Sequence, residues 1–446
     1  MLRASAPNLT RLNASPSPAI APFRFDVTPP LGHALLGGLV PPALAIDDEL
    51  EAIGYVLLTH EAPIVVCSLD WAGLMNASYR RFREVLAQAA NTTPDRVALH
   101  CVHQHNAPFI CEETQQRLEQ DADVDPVFDP IFFGDCLTRA TRAIQVALGN
   151  PIAVTHIAHG SAAVEHVASN RRVDRDEQGN VRAMRGSACA DPELTALAEG
   201  LIDPKLQTVA YYSGTQKVVS CHTYATHPMS YYRDGRVTSD FCGLARKQRQ
   251  AEEPNCTQLY FTGCAGNIAA GKYNNGSTAA RTALTQRIHR AIVASEAELQ
   301  PEPLQTVAWR THAVFPESRV PSSVEELGAT VGGAEAPRIG KILHAYWRSW
   351  EARTLRQEPL ELSALHLNGI AQIHLPGEPF LEFQLHAQSL RDEQPVITIG
   401  YGDGGPWYIP TADELPRGGY ETIVAFNKPS IDGLLRGAIG RLLDPA

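Results

Sequence analysis

Strand-like and helix-like segments alternate along most of this chain, and that alternation constrains the fold more than any other feature. The short apolar runs Ile64–Leu69 and Val97–His105 read as strands, because both are rich in β-branched or alternating apolar residues. Longer stretches near Tyr79–Ala90 and Asp129–Leu148 have helical character. Interleaving of this kind predicts an α/β fold with helices flanking the sheets.

Hairpin signals show that the sheets are mixed rather than purely parallel. Thr208–Tyr212 and Lys217–His222 read as strands joined by a Ser-Gly turn. Asn368-Gly369 separates the runs LELSALHL and IAQIHL, and Asn-Gly is the strongest short hairpin signal. Further helices are expected near Ala280–Leu299 and Arg338–Leu355. The sequence therefore predicts mixed β-sheets with flanking helices.

The chain has 446 residues, which is more than a single hydrophobic core usually serves. Residues 1–22 are rich in Ser, Pro and Asn, and we expect them to form a flexible N-terminal arm. No clear boundary interrupts residues 23–446, so we expect a single domain there. Residues 318–340, rich in Gly, Ala, Glu and Ser, are the expected surface insertion or lid.

Charge and cysteine content exclude several classes of protein. A formal net charge of −11 argues against nucleic acid binding, which draws on clustered Lys and Arg. The nine cysteines include no CxxC pair, so we expect neither a disulfide framework nor a thiolate zinc site. The N-terminus lacks the apolar core of a signal peptide, and no run is long enough for a membrane span. The expected location is the cytoplasm, and the oligomeric state stays open.

Three segments place metal-binding side chains at the ends of predicted strands. His103 and His105 form an HxH pair, and residues two apart on a strand share a face. His227 stands before Pro228, just beyond a second strand, and Glu378 follows a Pro-Gly turn before Pro379. Imidazole and carboxylate groups are the ligands of catalytic zinc sites. Taken singly, each segment also has a structural interpretation: a hydrogen-bonded sheet surface, a packing residue or a helix-capping carboxylate.

Aromatic residues after a glycine-rich turn form a fourth candidate. Gly402–Gly405 is followed by Trp407, Tyr408 and Tyr420, which could shape the rim of a pocket or simply pack in a loop. A different motif, GxxxxGK at Gly266–Lys272, lacks the Ser or Thr that a phosphate-binding loop needs after its lysine. No GxSxG elbow of a serine hydrolase is present either.

Taken together and in order, these segments resemble the catalytic domain of the neutral/alkaline (non-lysosomal) ceramidase family. The motifs that carry the resemblance are FDVTPPLG at residues 25–32, HQHNAP at 103–108, SNRR at 169–172, HPMS at 227–230, GCAGN at 263–267, LPGE at 375–378, and Y-I-P-T at 408–411 followed by Tyr420-Glu421. Their order and rough spacing hold from about residue 24 to 425.

The resemblance implies a zinc site and a set of catalytic groups. By position, the zinc ligands would be His103, His227, Glu378 and Tyr408. The groups around the scissile bond would be His105, Arg171 and Tyr420, with His105 carrying the proton. The implied reaction is hydrolysis of an amide in a small-molecule or lipid-like N-acyl substrate by zinc-activated water.

Two departures from the family bear on the substrate. Ala269 stands where the family's glycine-rich segment carries a serine, and Asn267 replaces its aspartate. The chain also ends soon after the tyrosine motif, without the family's β-rich C-terminal domain. We therefore expect ceramide to be a poor substrate. Two alternatives stay open: a zinc hydrolase of a glycan-derived or other polar substrate, and a non-catalytic binding module that kept the fold.

Overall fold

Three mixed β-sheets, each containing one parallel pair of strands, form the centre of the protein. The computed structural model describes residues 18–444 apart from residues 232 and 331. Each parallel pair is extended by antiparallel neighbours, as the hairpin signals predicted. The α/β class with mixed sheets and flanking helices is confirmed.

Sheet A is built from the N-terminal part of the chain. Its strands, in spatial order, are Val97–Cys101, Ile64–Leu69, Glu51–Leu58, Ala19–Asp26 and Ile152–Ala153. The first two run parallel and the other neighbours antiparallel. Five residues of Val97–Cys101 and all six of Ile64–Leu69 are buried, which explains why both read as continuous apolar runs.

Sheet B contains the first predicted hairpin. Its strands are Thr257–Thr262, Gln216–Tyr224, Lys205–Ser213, His156–Ala163 and Glu302–Pro303, in that order. Thr257–Thr262 and Gln216–Tyr224 are the parallel pair, and the hairpin between Lys205–Ser213 and Gln216–Tyr224 turns at the predicted place.

Sheet C contains the second predicted hairpin. Its strands are Val307–Val314, Leu360–Leu367, Ile370–His374 and Val396–Ile399. Asn368 has φ +52°, the left-handed conformation that an Asn-Gly turn supplies. Ile370–His374 and Val396–Ile399 are the parallel pair.

Short two-stranded pairings join the loops beyond the sheets. Two antiparallel pairings are Ser169–Asn170 with Ile268–Ala269 and Asp174–Arg175 with Val181–Ala183. The parallel pairings are Ala45–Ile46 with Arg236–Val237, Gly73–Leu74 with Phe109–Ile110, and Glu378–Pro379 with Tyr408–Ile409.

Helices cover the sheets, and four of them lie where helical segments were predicted, to within about four residues at each end. In chain order they are α1 (Asn76–Ala89), α2 (Glu112–Leu118), α3 (Pro130–Leu148), α4 (Pro192–Ala196), α5 (Asp240–Glu252), α6 (Thr278–Ala297), α7 (Val324–Ala329), α8 (Ala336–Leu355), α9 (Leu381–Ser389), α10 (Tyr420–Ile423) and α11 (Ser430–Leu443). None of the helices among the described residues combines the length and apolar character needed to cross a bilayer.

One hydrophobic cluster receives side chains from all three sheets. Ile53 comes from sheet A, Val209 and Val219 from sheet B, and Leu365 from sheet C. A hydrogen bond of 2.8 Å between the hydroxyls of Tyr55 and Tyr211 joins sheets A and B within this core. The shared core fixes the relative positions of the three sheets.

The predicted N-terminal arm is too long at its C-terminal end. Ala19–Asp26 is a strand of sheet A and pairs with Glu51–Leu58, so residues 19–22 are ordered. Its buried apolar side chains, including Ile20 and Ala21, explain why these residues join the sheet. Residues 1–17 lie outside the described part of the chain, and a single domain over residues 23–446 stays a prediction.

Candidate active site

The parallel strand pairs of the three sheets all end at one place. Beyond the carboxyl ends of Val97–Cys101, Gln216–Tyr224 and Ile370–His374, the chain reaches His103, His227 and Glu378 respectively. Backbone hydrogen bonds tie these loops together: the Cys101 N–H donates to Tyr401 O at 2.9 Å. The architecture therefore gathers residues that are distant in the sequence.

His103 lies in a loop and not, as predicted, within a strand ending at His105. The strand ends at Cys101 because His103 adopts φ +78°, which no strand accommodates. The argument from side-chain alternation is thus wrong. The loop nevertheless brings the rings of His103 and His105 to a centroid distance of 5.0 Å.

A backbone carbonyl fixes the tautomer of His103. Its Nδ1 lies 2.5 Å from Ala72 O, and a carbonyl can only accept a hydrogen bond. Nδ1 therefore carries a proton, and in the neutral ring Nε2 presents a lone pair. This buried Nε2 has no hydrogen-bond partner of good geometry among the described residues, although Glu378 Oε2 is 3.1 Å away.

His227 is held in the same way by a different sheet. Its Nδ1 donates to Ala265 O at 2.7 Å, so its Nε2 also presents a lone pair. Burial lowers the pKa of His227 to about 3, and Arg171 acts in the same direction. The ring is fully buried and neutral at pH 7.

Glu378 is placed between the two imidazoles. Its Oε2 lies 3.1 Å from His103 Nε2 and 3.2 Å from His227 Nε2. The interpretation of Glu378 as a helix-capping carboxylate is wrong: Glu378–Pro379 pairs with Tyr408–Ile409 as a strand, and α9 begins at Leu381 after Phe380.

Three acceptor atoms therefore converge on one small space. The two Nε2 lone pairs and the Glu378 carboxylate repel one another unless a cation or a shared proton lies between them. Each imidazole is oriented through Nδ1 by a backbone carbonyl, as is usual for metal-binding histidines. Since two nitrogens and a carboxylate suit zinc, the residues present fit such an ion.

A third imidazole completes a group of potential metal ligands. One nitrogen from each of His103, His105 and His227 lies within 4.8 Å of the other two. Burial lowers the pKa of His105 well below its usual value, and His103 and His227 add to the shift. His105 is therefore neutral at pH 7.

Three further polar residues lie beside His227 in mutual contact: Tyr408, Arg171 and Tyr420. The Tyr408 hydroxyl lies 3.4 Å from His227 Nε2 and 3.0 Å from the Tyr420 hydroxyl, and Arg171 Nη1 donates to it at 3.3 Å. Burial and Glu378 raise the pKa of Tyr408 well above its usual value. All seven residues predicted for the site thus lie in one connected cluster, although their individual roles stay predictions.

Tyr401 belongs to the site and was not among the predicted residues. Its ring stacks on His103 at a centroid distance of 4.4 Å and an interplanar angle of 26°. It has φ +61°, and its N–H donates to Gly377 O, next to Glu378. The Gly400-Tyr401 step after a buried strand was the signal available in the sequence.

A cavity of about 370 Å³ opens above the histidines. His103, His105, Glu378, Tyr408 and Tyr420 form its polar part. Most of its remaining wall is apolar and includes Leu36, Val40, Phe109, Ile339, Leu343 and Trp407. Thr330 and Ile339 come from the segment predicted as an insertion or lid, so that segment forms part of the wall.

The two departures from the ceramidase pattern have structural roles here. Asn267 accepts the Leu381 N–H at 2.9 Å at the start of α9, and donates to Glu382 at 3.0 Å. Ala269 is buried and pairs with Ser169, whose hydroxyl donates to Ala269 O at 2.9 Å. Ala269 therefore offers no hydroxyl to the cavity.

Solved structures of ceramidases share this fold. The neutral ceramidase from Pseudomonas aeruginosa matches with a TM-score of 0.70 and 14% identity, over 96% of this chain and 74% of that chain. A ceramidase complexed with C2 matches with a TM-score of 0.68 and 12% identity, over 95% and 74% of the respective chains. No family model and no curated relative matches the sequence. The chain thus has a neutral-ceramidase-like α/β fold, as its motifs predicted.

Proposed function

We propose that the protein is a zinc-dependent hydrolase that cleaves the amide bond of N-acyl substrates. The observation that carries this proposal is the convergence of His103 Nε2, His227 Nε2 and Glu378 Oε2 beneath an apolar cavity. Buried acceptors gathered in one place are costly unless a cation or a shared proton lies between them, and a zinc ion would satisfy all three at once. The ceramidase structures with this fold support the choice of reaction.

His103, His227 and Glu378 would hold the ion, with Tyr408 as the fourth ligand. When bound, zinc would lower the pKa of a coordinated water toward about 7 and polarise the substrate carbonyl. Tyr408 is the weakest member of this set, because its hydroxyl also contacts Arg171 and Tyr420.

His105 is suited to move a proton. It is neutral at pH 7 for the reasons given above, and its ring lies 5.0 Å from that of His103 and 5.8 Å from that of His227, centroid to centroid. A neutral imidazole that lines the cavity can take a proton from water and pass it to the leaving nitrogen.

Tyr420 and Arg171 would stabilise negative charge on the carbonyl oxygen. Tyr420 lines the cavity, and its hydroxyl can donate a hydrogen bond. Arg171 is buried behind it, with its guanidinium 5.5 Å from the Tyr420 ring centre. A buried cation at this position favours an oxyanion without reorganisation of water.

The cavity wall favours an acyl chain over a sugar. Leu36, Phe109 and Leu343 bury apolar surface, whereas a glycan needs several polar partners. The alternative of a polar, glycan-derived substrate is therefore less well supported. Because Ala269 stands in place of a serine, we still expect ceramide to be a poor substrate.

A substrate panel tests the proposal. Zinc-reloaded protein is incubated with ceramide, N-acyl amino acids and N-acetylated sugars, and the released acid is quantified by mass spectrometry. We expect turnover of long-chain N-acyl compounds that stops on chelation and returns with zinc. His103→Ala, treated in the same way, is the inactive control.

Two outcomes would contradict the proposal. Absence of turnover for every amide and ester would favour the binding module that kept the fold. Turnover limited to N-acetylated sugars would favour the polar-substrate alternative. Rapid hydrolysis of ceramide would support the reaction type and contradict only the expectation drawn from Ala269.

A further inference from the structure

A single arginine stands at the junction between the apolar cavity and a neighbouring groove. Arg233 lines the cavity above the histidines and also lines a groove of about 900 Å³. Leu39 and Val40 are the other residues common to both. Arg233 therefore borders both spaces.

Arg233 is a cation without a counter-charge among the described residues. It is exposed, and no hydrogen bond or ion pair to a described residue engages its guanidinium. The neighbouring Asp234 is bound instead to Arg236 and Asn106. No lysine and no other arginine among the described residues lines the cavity.

The other charges of the groove are mostly engaged. Arg338 pairs with Glu335 at 2.8 Å and donates to Gly38 O. Asp129 accepts the Ile131 N–H at the start of α3. Asp125 also lines the groove but not the cavity, so it would repel an anion that extended far outward. The charges therefore fit a compact anion close to Arg233.

We infer that the substrate is an N-acyl amino acid whose carboxylate is bound by Arg233. This inference rests on the proposed amide hydrolysis at the histidine cavity. The acyl chain would lie against the apolar wall, and the amino-acid part would point toward Arg233. Hydrolysis then breaks the C–N bond, with the oxygen of water going to the acyl carbon and a proton to the nitrogen. The products are a fatty acid and a free amino acid.

Two probes of equal size test the contribution of the substrate carboxylate. N-lauroylglycine carries it, and N-lauroylglycinamide replaces it with a neutral amide. We expect the wild-type, zinc-loaded protein to prefer N-lauroylglycine in kcat/KM by about fivefold to tenfold. Arg233→Met should lower this ratio to about one, and Arg233→Lys should restore part of it. Because Arg233 is exposed, the preference should weaken as salt rises.

The control is Arg142→Met. Arg142 lies on α3, is exposed, and likewise has no bonded partner among the described residues, but it does not line the cavity. The ratio of kcat/KM for the two probes should be the same in Arg142→Met as in the wild type. Calorimetric binding of both probes to the same proteins gives a second readout that does not need turnover.

Failure of this inference can be told apart from failure of the proposed function. If both probes are hydrolysed at equal rates and bound equally by the wild type, the assignment of Arg233 is wrong while amide hydrolysis stands. If neither probe is hydrolysed or bound while another N-acyl compound is turned over, the assignment of an N-acyl amino acid is wrong and amide hydrolysis stands. If no amide or ester is turned over at all, the proposed function is contradicted, and the assignment with it. A preference that survives in Arg233→Met would also overturn the assignment.

Discussion

The ring of His103 is held between a backbone carbonyl and the face of Tyr401. Its Nδ1 donates to Ala72 O, and the two rings stack at 4.4 Å. The Tyr401 hydroxyl in turn lies 3.4 Å from His227 Nδ1. One tyrosine therefore contacts two of the residues proposed to bind zinc.

Tyr401→Ala should weaken zinc binding by about tenfold, the usual cost of losing a group that orients a metal ligand. Tyr401→Phe keeps the stacked ring and should bind zinc nearly as well as the wild type. Competition with a fluorescent chelator measures both affinities. Equal affinity for Tyr401→Ala and the wild type would show that the stacking does not orient His103.

The purified protein should carry about one zinc per chain, because one convergent site is present among the described residues. Elemental analysis after chelation and reloading measures the occupancy. His103→Ala and His227→Ala should each lower it strongly. His60→Ala, an exposed histidine outside the cavity, is the matched control. Unchanged zinc content in the double variant His103→Ala/His227→Ala would contradict the proposed zinc site.

Replacement of His103 by alanine and replacement of His105 by alanine should affect zinc content and kcat differently. His103→Ala should lose metal and activity together. His105→Ala should keep its zinc while kcat falls by about 10²–10⁴, the usual contribution of a positioned acid or base. Zinc content and kcat on the same preparation decide this. If His105→Ala loses the zinc and His103→Ala keeps it, the two roles must be exchanged.

Tyr408 and Tyr420 provide a second pair with separable roles. Tyr408→Phe removes the proposed fourth ligand and should weaken zinc binding. Tyr420→Phe should keep the zinc and lower kcat by about 10²–10³, the cost of losing a hydrogen bond to the oxyanion. Metal titration and steady-state kinetics distinguish the two effects. A fall in zinc affinity for Tyr420→Phe would mean that the two hydroxyls act as one unit.

Glu296, outside the site, should make stability depend on pH. Burial would raise its pKa, but His222, Lys217 and Ser220 lower it to about 2. A lowered folded-state pKa stabilises the fold above the unfolded value, and this stabilisation is lost as the pH falls through the folded one. Glu296→Gln should therefore cost about 3 kcal/mol at pH 7 and less than half of that at pH 3. Urea unfolding at both pH values measures the difference, and an equal cost at both would contradict the ion-pair explanation.

Local signals were sufficient to predict most elements of the fold. Ile64–Leu69 is a strand over the predicted residues, because a buried parallel strand must be continuously apolar. The Asn368-Gly369 hairpin forms where the turn chemistry requires it. The strand ending at Cys101 was predicted too long, since the positive φ of His103 is imposed by its hydrogen bonds and leaves no trace in composition.

The sequence predicted which residues form the site better than it predicted how those residues are arranged. His103, His227 and Glu378 were found because each follows a strand, and motif order supplied Arg171, Tyr408 and Tyr420. Tyr401 was missed because its contribution is a stacked ring and a backbone contact. The carbonyls of Ala72 and Ala265 were missed for the same reason: any residue can supply a carbonyl, so only the fold reveals them.

Each parallel strand pair does the same thing at the site: one strand leads to a side chain of the cluster, and its neighbour leads to the group that holds it. Ala72 follows Ile64–Leu69, the parallel neighbour of the strand that leads to His103. Ala265 follows Thr257–Thr262, the parallel neighbour of the strand that leads to His227. Tyr401 follows Val396–Ile399, the parallel neighbour of the strand that leads to Glu378. Parallel neighbours are joined by long crossovers, so each pairing closes a long loop of the chain. His227 and Glu378 alone are 151 residues apart in the chain. The cluster, and with it the proposed metal site, therefore depends on the strand pairs of all three sheets.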